Sequence, residues 1–276
     1  MFEQIDKILN LPKFKKDIFD GKIFVFQKSS ISLELVQQIK KNILLEYDGK
    51  LEKLHHFDNC EDISSKLVSD LKKVPEFKKL FKIFLNEINF LNKNSYWDQF
   101  RVRVAPAQNK FGYREASRIK AHRDTWGTNI HQQINWWAPI SLIDKTNTMI
   151  FYPNFFSKPV KNTTSSWDLN TYLEHRKRED FSYPSAPQLL EDIPNNEEIL
   201  PVIIEPGEVL CFSGCHLHSS STEKSENTRF SYEIRTICQD DLDQDRRAPN
   251  TDCELKSQFP KIFRHIDDNS SLKFSS

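Results

Sequence analysis

Two short stretches of the chain carry side chains that can share one metal ion. Lys120-Ala121-His122-Arg123-Asp124-Thr125-Trp126 puts an imidazole and a carboxylate one residue apart, and Phe212-Ser213-Gly214-Cys215-His216-Leu217-His218 supplies a second imidazole 94 residues after Asp124. Two imidazoles and one carboxylate on one face of a ferrous ion leave positions open for a cosubstrate and oxygen. Alternate residues of a strand project to the same face, so His122 and Asp124 are expected to converge if their stretch is extended. The distal histidine must then come from another strand that folding brings alongside. A bare His-x-Asp arises by chance in many chains, usually as a solvated or hydrogen-bonded surface pair, so its surroundings decide.

The surroundings favour a site. Pro206-Gly207-Glu208-Val209-Leu210-Cys211-Phe212-Ser213-Gly214 reads as a turn and an apolar strand that delivers a histidine at its end. Eleven residues past His218, Arg229 opens a run whose alternation sets Arg229, Ser231, Glu233 and Arg235 on one face and Phe230, Tyr232 and Ile234 on the other. An inward guanidinium needs an anionic partner, because buried charge is costly unless paired. Its planar fork suits a carboxylate, which a dicarboxylate cosubstrate would supply.

The order His-x-Asp, long insertion, Gly-Glu-Val-Leu-Cys-Phe-Ser-Gly-x-x-x-His and Arg-x-Ser resembles the Fe(II)/2-oxoglutarate-dependent oxygenases, especially their phytanoyl-CoA hydroxylase-like branch, over residues 96–238. The resemblance implies a double-stranded β-helix (jelly-roll, cupin-like) core, with His122, Asp124 and His218 on Fe(II), and Arg229 with Ser231 on the far carboxylate of 2-oxoglutarate. Oxygen takes the remaining metal position. The family pattern selects His218 over His216, which strand periodicity does not separate. It also implies hydroxylation or another hydrogen-abstraction outcome, with release of succinate and carbon dioxide. The related halogenases carry a small residue where this chain has Asp124. Ser221-Thr222-Glu223-Lys224 departs from the Pro-Asn turn common in the family, so the loop there is expected to differ in shape.

Other readings meet obstacles. His122-Arg123-Asp124 followed by Asn129 is spaced like a protein-kinase catalytic loop. Glycines at 21, 49, 112, 127, 207 and 214 cannot build a Gly-x-Gly-x-x-Gly loop, and no Asp-Phe-Gly follows. A cupin-like isomerase or dioxygenase would use the triad without 2-oxoglutarate, and so would not need Arg229. A binding module that has lost its chemistry would not need an intact triad.

A chain of 276 residues is long enough for one domain, with no linker to divide it. Residues 1–92 read as a helical buttress, 96–238 as an all-β core with an insertion at 154–196, and 239–276 as a charged tail, giving an α+β protein overall. Zero net charge offers no overall footprint for nucleic acid or an acidic membrane. Five sparse cysteines read as reduced thiols. With no signal-peptide pattern at the start and no membrane-length apolar run, a cytoplasmic location is expected. The partner class is a small molecule, and nothing indicates an oligomeric state.

Ser30 or Ser32 is placed to cap a helix bearing Leu33, Val36, Ile39, Ile43 and Leu44. Phe77, Leu80, Phe81, Phe84 and Leu85 recur at helical spacing after Pro75. Both stripes read as packing, and His55 and His56 as exposed. Tyr96–Val104 reads as a strand in which Arg101 and Arg103 either face solvent, the more common arrangement, or line a site. In the strand Ile130–Pro139, Gln133 and Asn135 share a face, to bond 2-oxoglutarate or substrate, or else to satisfy backbone groups. Trp126, Trp137, Tyr152 and Arg103 are candidates for a pocket that takes a polar, sugar-like or natural-product-like molecule. The 154–196 insertion is either a lid over the site, with a short helix at Trp167–Arg178, or a surface excursion.

Overall fold

The computed structural model describes residues 2–46, 51–57, 59–107, 111–112, 118–180 and 182–272. Its elements, in order, are β1 (Glu3–Ile5), α1 (Leu11–Phe19), β2 (Phe24–Phe26), α2 (Ser30–Glu46), α3 (Cys60–Leu71), α4 (Pro75–Glu87), β3 (Ser95–Trp97), β4 (Arg101–Ala105), β5 (Phe111–Gly112), β6 (Arg118–Ile119) and β7 (Ile134–Pro139). After these come β8 (Met149–Phe151), α5 (Leu169–Lys177), β9 (Leu200–Pro201), β10 (Val209–Ser213), β11 (His218–Ser220), β12 (Arg229–Cys238), α6 (Gln239–Asp243) and β13 (Arg264–His265). This is a mixed α+β chain with six helices among the described residues.

One eight-stranded sheet runs β1-β2-β10-β7-β12-β3-β13, with β4 also paired to β12. A second sheet, β11-β8-β9, has three strands. At the centre of the large sheet, β12 pairs with β7 and with β4, and Ser231 is register partner to both Pro139 and Arg103. The alternation along β12 now has a physical meaning. Phe230, Tyr232 and Ile234 are buried on the helical side, where Tyr232 stacks on Phe100 and meets Phe81 edge-on. Arg229, Ser231, Glu233 and Arg235 take the other face, toward the small sheet.

The helices bury the apolar back of the large sheet, as a one-sided apolar stripe requires. In α4 the buried set is Phe77, Leu80, Phe81, Phe84 and Leu85, the residues that sequence spacing selects. In α2 the buried apolar set is Ile31, Leu35, Val36, Ile39 and Ile43, while Leu33 and Leu44 lie at the exposed margin. Its cap is neither Ser30 nor Ser32. Ser29 accepts from the Ser32 amide at 3.2 Å and Ser32 returns an acceptor to the Ser29 amide at 2.9 Å, a reciprocal box that satisfies two amides at the helix start.

Three further expectations change. The strand expected from Tyr96 to Val104 breaks into β3 and β4, because Asp98 turns inward, fully buried, to accept from Arg101 at 2.7 Å and Arg235 at 2.6 Å. Arg101 and Arg103 are therefore not a solvated face; Val102 and Val104 pack under the helices, and the guanidinium groups meet the buried Asp98 and the partly exposed Glu233. His55 is half-buried with Nδ1 3.0 Å from the Thr228 hydroxyl, whereas His56 is exposed.

The charge run after Cys238 is exposed from residue 243 to 247, as expected of a solvated surface, and only Asp241 within it is buried. Asp241 is buried between Lys15 at 2.7 Å and Arg246 at 2.8 Å, and the chain then passes under the metal-motif loop, where the Phe259 amide donates to the Thr128 carbonyl and the Ala248 amide to the His131 carbonyl. Among the described residues no helix is long and apolar enough to cross a membrane. All five cysteines are buried and unbridged.

His131 shows what this packing does to a titratable group. It is buried, with Nδ1 3.3 Å from Cys215 Sγ and Nε2 3.3 Å from the Asn129 amide oxygen. Burial, reinforced by the charge of Arg247, pushes its imidazole down to about 4. Its unfolded counterpart titrates near 6.5, so below that pH the unfolded chain gains a proton that the folded chain refuses. The associated stability is present above about pH 6.5 and is lost as pH falls toward 4. His131→Gln is expected to remove up to about 3 kcal/mol of that acid-side slope. Urea denaturation of both proteins between those pH values measures it, and parallel stability curves would exclude this origin.

Candidate metal centre

Three side chains meet between the two sheets: His122, Asp124 and His218 lie with one donor atom each within 4.8 Å of one another. His218 is the first residue of β11, and His122 faces it in an isolated antiparallel bridge, each backbone amide donating to the other's carbonyl at 3.0 Å. This direct opposition brings the ring centroids to 4.4 Å. Asp124 arrives differently from the expected strand geometry. The backbone is extended only through Arg123, and Asp124 opens a single 3-10 turn, Asp124–Gly127. That turn curls the carboxylate back between the rings, its two oxygens 3.7 Å from Nε2 of His122 and 3.7 Å from Nε2 of His218.

Both imidazoles are held in one tautomer. Nδ1 of His122 donates to the Lys120 carbonyl and Nδ1 of His218 to the His216 carbonyl, each at 2.9 Å. A carbonyl can only accept, so the proton sits on Nδ1 and the Nε2 lone pairs point at the shared centre, the form a metal needs. Burial, with His122 beside it, pushes His218 down to about 4, which keeps it neutral. For Asp124, burial alone would raise the carboxyl. The facing His122 and His218 rings and the charge of Arg235 outweigh it and hold the group well below the usual carboxylate range. His216 takes no part in the centre: its ring is wedged against Phe156, Phe151 and Phe212, and its buried Nε2 has no partner. A turn and bend at Gly214–His216 separate it from β11, so the two histidines do not share a strand face.

Asn135 and Gln133 stand behind Asp124. The Asn135 amide donates to Asp124 Oδ2, Gln133 Nε2 donates to Asn135 Oδ1 at 2.9 Å, and the Thr128 hydroxyl reaches Gln133 Oε1 at 3.4 Å. The relay fixes the carboxylate without charge. Gly214 leaves room for it, since a Cβ there would lie 2.6 Å from Gln133 Nε2.

Arg229 lies across the same cavity, buried, its guanidinium 5.8 Å from the centre of the Trp137 ring. Nη1 donates to the Asn147 carbonyl at 3.1 Å and Nη2 to Ser220 Oγ at 3.4 Å, while Nε is buried with no acceptor. Burial, with Arg103 and Arg118 nearby, pushes its proton affinity down to about 9. No carboxylate holds it among the described residues, so the cation is an unmatched anion receptor. The hydroxyl of Ser231 is likewise buried and unpartnered. Arg103, Trp137, Ser219, Ser220, Met149 and Glu233 complete the cavity wall. Two of the four substrate candidates are elsewhere. Trp126 Nε1 donates to Asp252 at 2.7 Å and the Tyr152 hydroxyl lies 3.1 Å from Ser219 Oγ, and neither residue lines the cavity.

Sequence reading missed the residue that joins these parts. Arg123, between the two proximal metal-site residues, is buried and donates from Nε to both oxygens of Asp252 at 3.0 Å, from Nη1 to the Cys215 carbonyl, and from Nη2 to the Phe155 and Lys158 carbonyls. Asp252 also accepts from Trp126 and from the Val160 amide. One ion pair thus ties the metal turn, the approach to His218, the start of the 154–196 segment and the C-terminal segment. The signal in sequence was only an arginine inside His-x-Asp; its acid is 129 residues away. Asp252→Asn is expected to destabilise the fold by about 3–5 kcal/mol, because it leaves a buried guanidinium uncompensated. A urea midpoint close to wild type would contradict this.

The 154–196 segment is packed over the same region: Trp167, Tyr172, Tyr183 and Leu189 join Trp126, Leu217 and Leu255 in one apolar cluster.

No protein-family model matches the sequence, and no curated protein matches it. Among solved structures, the chain is similar to AviO1 from Streptomyces viridochromogenes Tue57, at 11% identity and TM-score 0.41, over 88% of this chain and 99% of that one. It is similar to EvdO2 from Micromonospora carbonacea var. aurantiaca complexed with 2-oxoglutarate, at 10% identity and TM-score 0.45, over 93% and 98%. It is similar also to SnoN, a non-heme alpha ketoglutarate dependent epimerase from nogalamycin biosynthesis, at 11% identity and TM-score 0.39, over 82% and 84%.

Proposed function

We propose that the chain is a non-haem Fe(II)/2-oxoglutarate-dependent dioxygenase that hydroxylates a small polar metabolite, natural-product-like or sugar-like, and releases succinate and carbon dioxide. In this reading the two sheets are the leaves of a double-stranded β-helix, and the 154–196 segment is a lid. The buried, unbridged thiols suit a cytoplasmic setting that keeps iron ferrous.

The observation that carries the proposal is a buried Arg229 with an orphaned Nε in the cavity wall that also holds the His122, Asp124 and His218 donors. The donor set fits iron. Two neutral imidazoles with Nε2 free and one ionised carboxylate form the ligand type of a non-haem ferrous site. The anion receptor fits the second carboxylate of 2-oxoglutarate, because a guanidinium fork donates two parallel bonds to that group. When bound, the metal supplies oxygen activation coupled to decarboxylation of the keto acid.

The chain's own groups do the rest. Lys120 and His216 carbonyls fix the imidazole protons, Asn135 and Gln133 orient the carboxylate, Arg229 and Ser231 hold the cosubstrate's far end, and Trp137 with Met149 keeps bulk water from the cavity. The test is Fe(II)-dependent conversion of 2-oxoglutarate to succinate, followed by incubation with a metabolite extract. A compound gaining one oxygen atom is the expected product. Failure to form succinate with any extract, despite bound Fe(II), would favour the cupin-like alternative.

A further inference from the structure

The cavity wall contains one charged pair that neither the triad nor the anion receptor uses. Arg103 Nε donates to Glu233 Oε2 at 2.7 Å, across the diagonal between β4 and β12. Both side chains are partly exposed to the cavity, at 19% and 25%, and neither the Nη groups of Arg103 nor Oε1 of Glu233 makes a hydrogen bond to a described residue. The pair therefore presents donors and an acceptor side by side while its own charges remain matched.

Charge balance then restricts what can bind there. Resting on the proposed function, the site holds the two positive charges of Fe(II) and the one of Arg229 against Asp124 and the two carboxylates of 2-oxoglutarate. Among the side chains that line the cavity these cancel, as do Arg103 and Glu233, while behind the wall Arg101 and Arg235 share the carboxylate of Asp98. A net anion or cation entering the cavity would bring an unmatched charge into a largely buried space, where an isolated charge is strongly disfavoured. A neutral molecule with neighbouring hydroxyls brings none. One hydroxyl oxygen accepts from an Arg103 Nη and the next hydroxyl donates to Glu233 Oε1, without opening the pair.

The geometry points to Arg103 and Glu233 as the substrate-gripping pair, and to a primary substrate that is uncharged and carries adjacent hydroxyls, of the polyol or glycoside class.

The experiment uses full-length protein loaded with Mn(II) and 2-oxoglutarate, so that no turnover occurs. The probes are a set of methyl glycosides and acyclic polyols, each neutral member matched by a uronate and an amino-sugar analogue. The readout is paramagnetic broadening of the probe's proton resonances by the bound metal. Neutral members are expected to broaden, and their uronate and amino analogues to need at least about ten-fold higher concentration.

Single substitutions leave a charge behind, so the principal variant is the double Arg103→Gln, Glu233→Gln, which keeps the cavity neutral. It should lose the broadening while holding 2-oxoglutarate affinity within a few-fold by calorimetry. Preference for a charged analogue, no broadening by any neutral probe, or undiminished broadening in the double variant would overturn the assignment. Failure of wild-type protein to bind 2-oxoglutarate in the same calorimetry would instead strike the underlying function.

Discussion

Arg229→Gln is expected to weaken 2-oxoglutarate binding by about two orders of magnitude or more, while Mn(II) binding stays near wild type. Truncating one partner of a buried charge pair commonly costs 2–5 kcal/mol or more, about 30-fold at the lower end. Among the described residues Arg229 is the one cation in the cavity wall with a buried donor left over, since Arg103 is already matched by Glu233. Glutamine keeps a donor but cannot form the two-pronged contact with a carboxylate. The same substitution should leave the ligand-free protein as stable as before, or more stable. The cation is buried with no carboxylate partner among the described residues, and burial, with Arg103 and Arg118 nearby, lowers its proton affinity. Calorimetry with 2-oxoglutarate and urea denaturation without it check the two halves. Intact 2-oxoglutarate affinity in this variant would point to a triad enzyme of the cupin kind.

Asp124→Ala should abolish tight metal binding, and Asn135→Ala should weaken it by about 10–100-fold, the usual cost of losing an outer hydrogen bond to a ligand. The graded result follows from the relay. Asp124 contributes the donor oxygen, whereas Asn135 only holds it in place, with Gln133 behind. Alanine at 124 also removes the negative charge that faces both rings, leaving two neutral imidazoles on a cation with no anion to match it. Competition of the variants against a chromophoric chelator for Mn(II) or Fe(II) measures both. Equal affinity of wild type and Asp124→Ala would remove the centre from consideration.

How much of this was legible beforehand differs from residue to residue. The triad stood out because its chemistry is local: an imidazole and a carboxylate one residue apart, and a histidine at the end of an apolar run. The wrong part was the backbone between His122 and Asp124. A two-residue period predicts a strand, but the side chains converge because the bridge to His218 is confined to His122 and a 3-10 turn begins at Asp124. The inward face of β12 was legible because strict alternation survives a central strand buried on one side by helices. Whether Arg103 faced water or the cavity was not, since that depends on Glu233 lying diagonally opposite it on β12, a contact 130 residues away.

Sequence alone determined the chemistry on offer and the local periodicity: which groups can bind a metal, which helices carry an apolar stripe, which face of β12 is polar. Tertiary structure decided the partners. Trp126 faces Asp252 and leaves the cavity, Arg123 becomes the tie among four segments, and Asp241 turns inward out of an otherwise exposed charge run. The physical reason is that periodicity reports only a residue's immediate backbone neighbours. Pairing of a buried charge is settled by whichever opposite group the sheet register and loop closures bring within about 3 Å, and that group can come from anywhere in the chain.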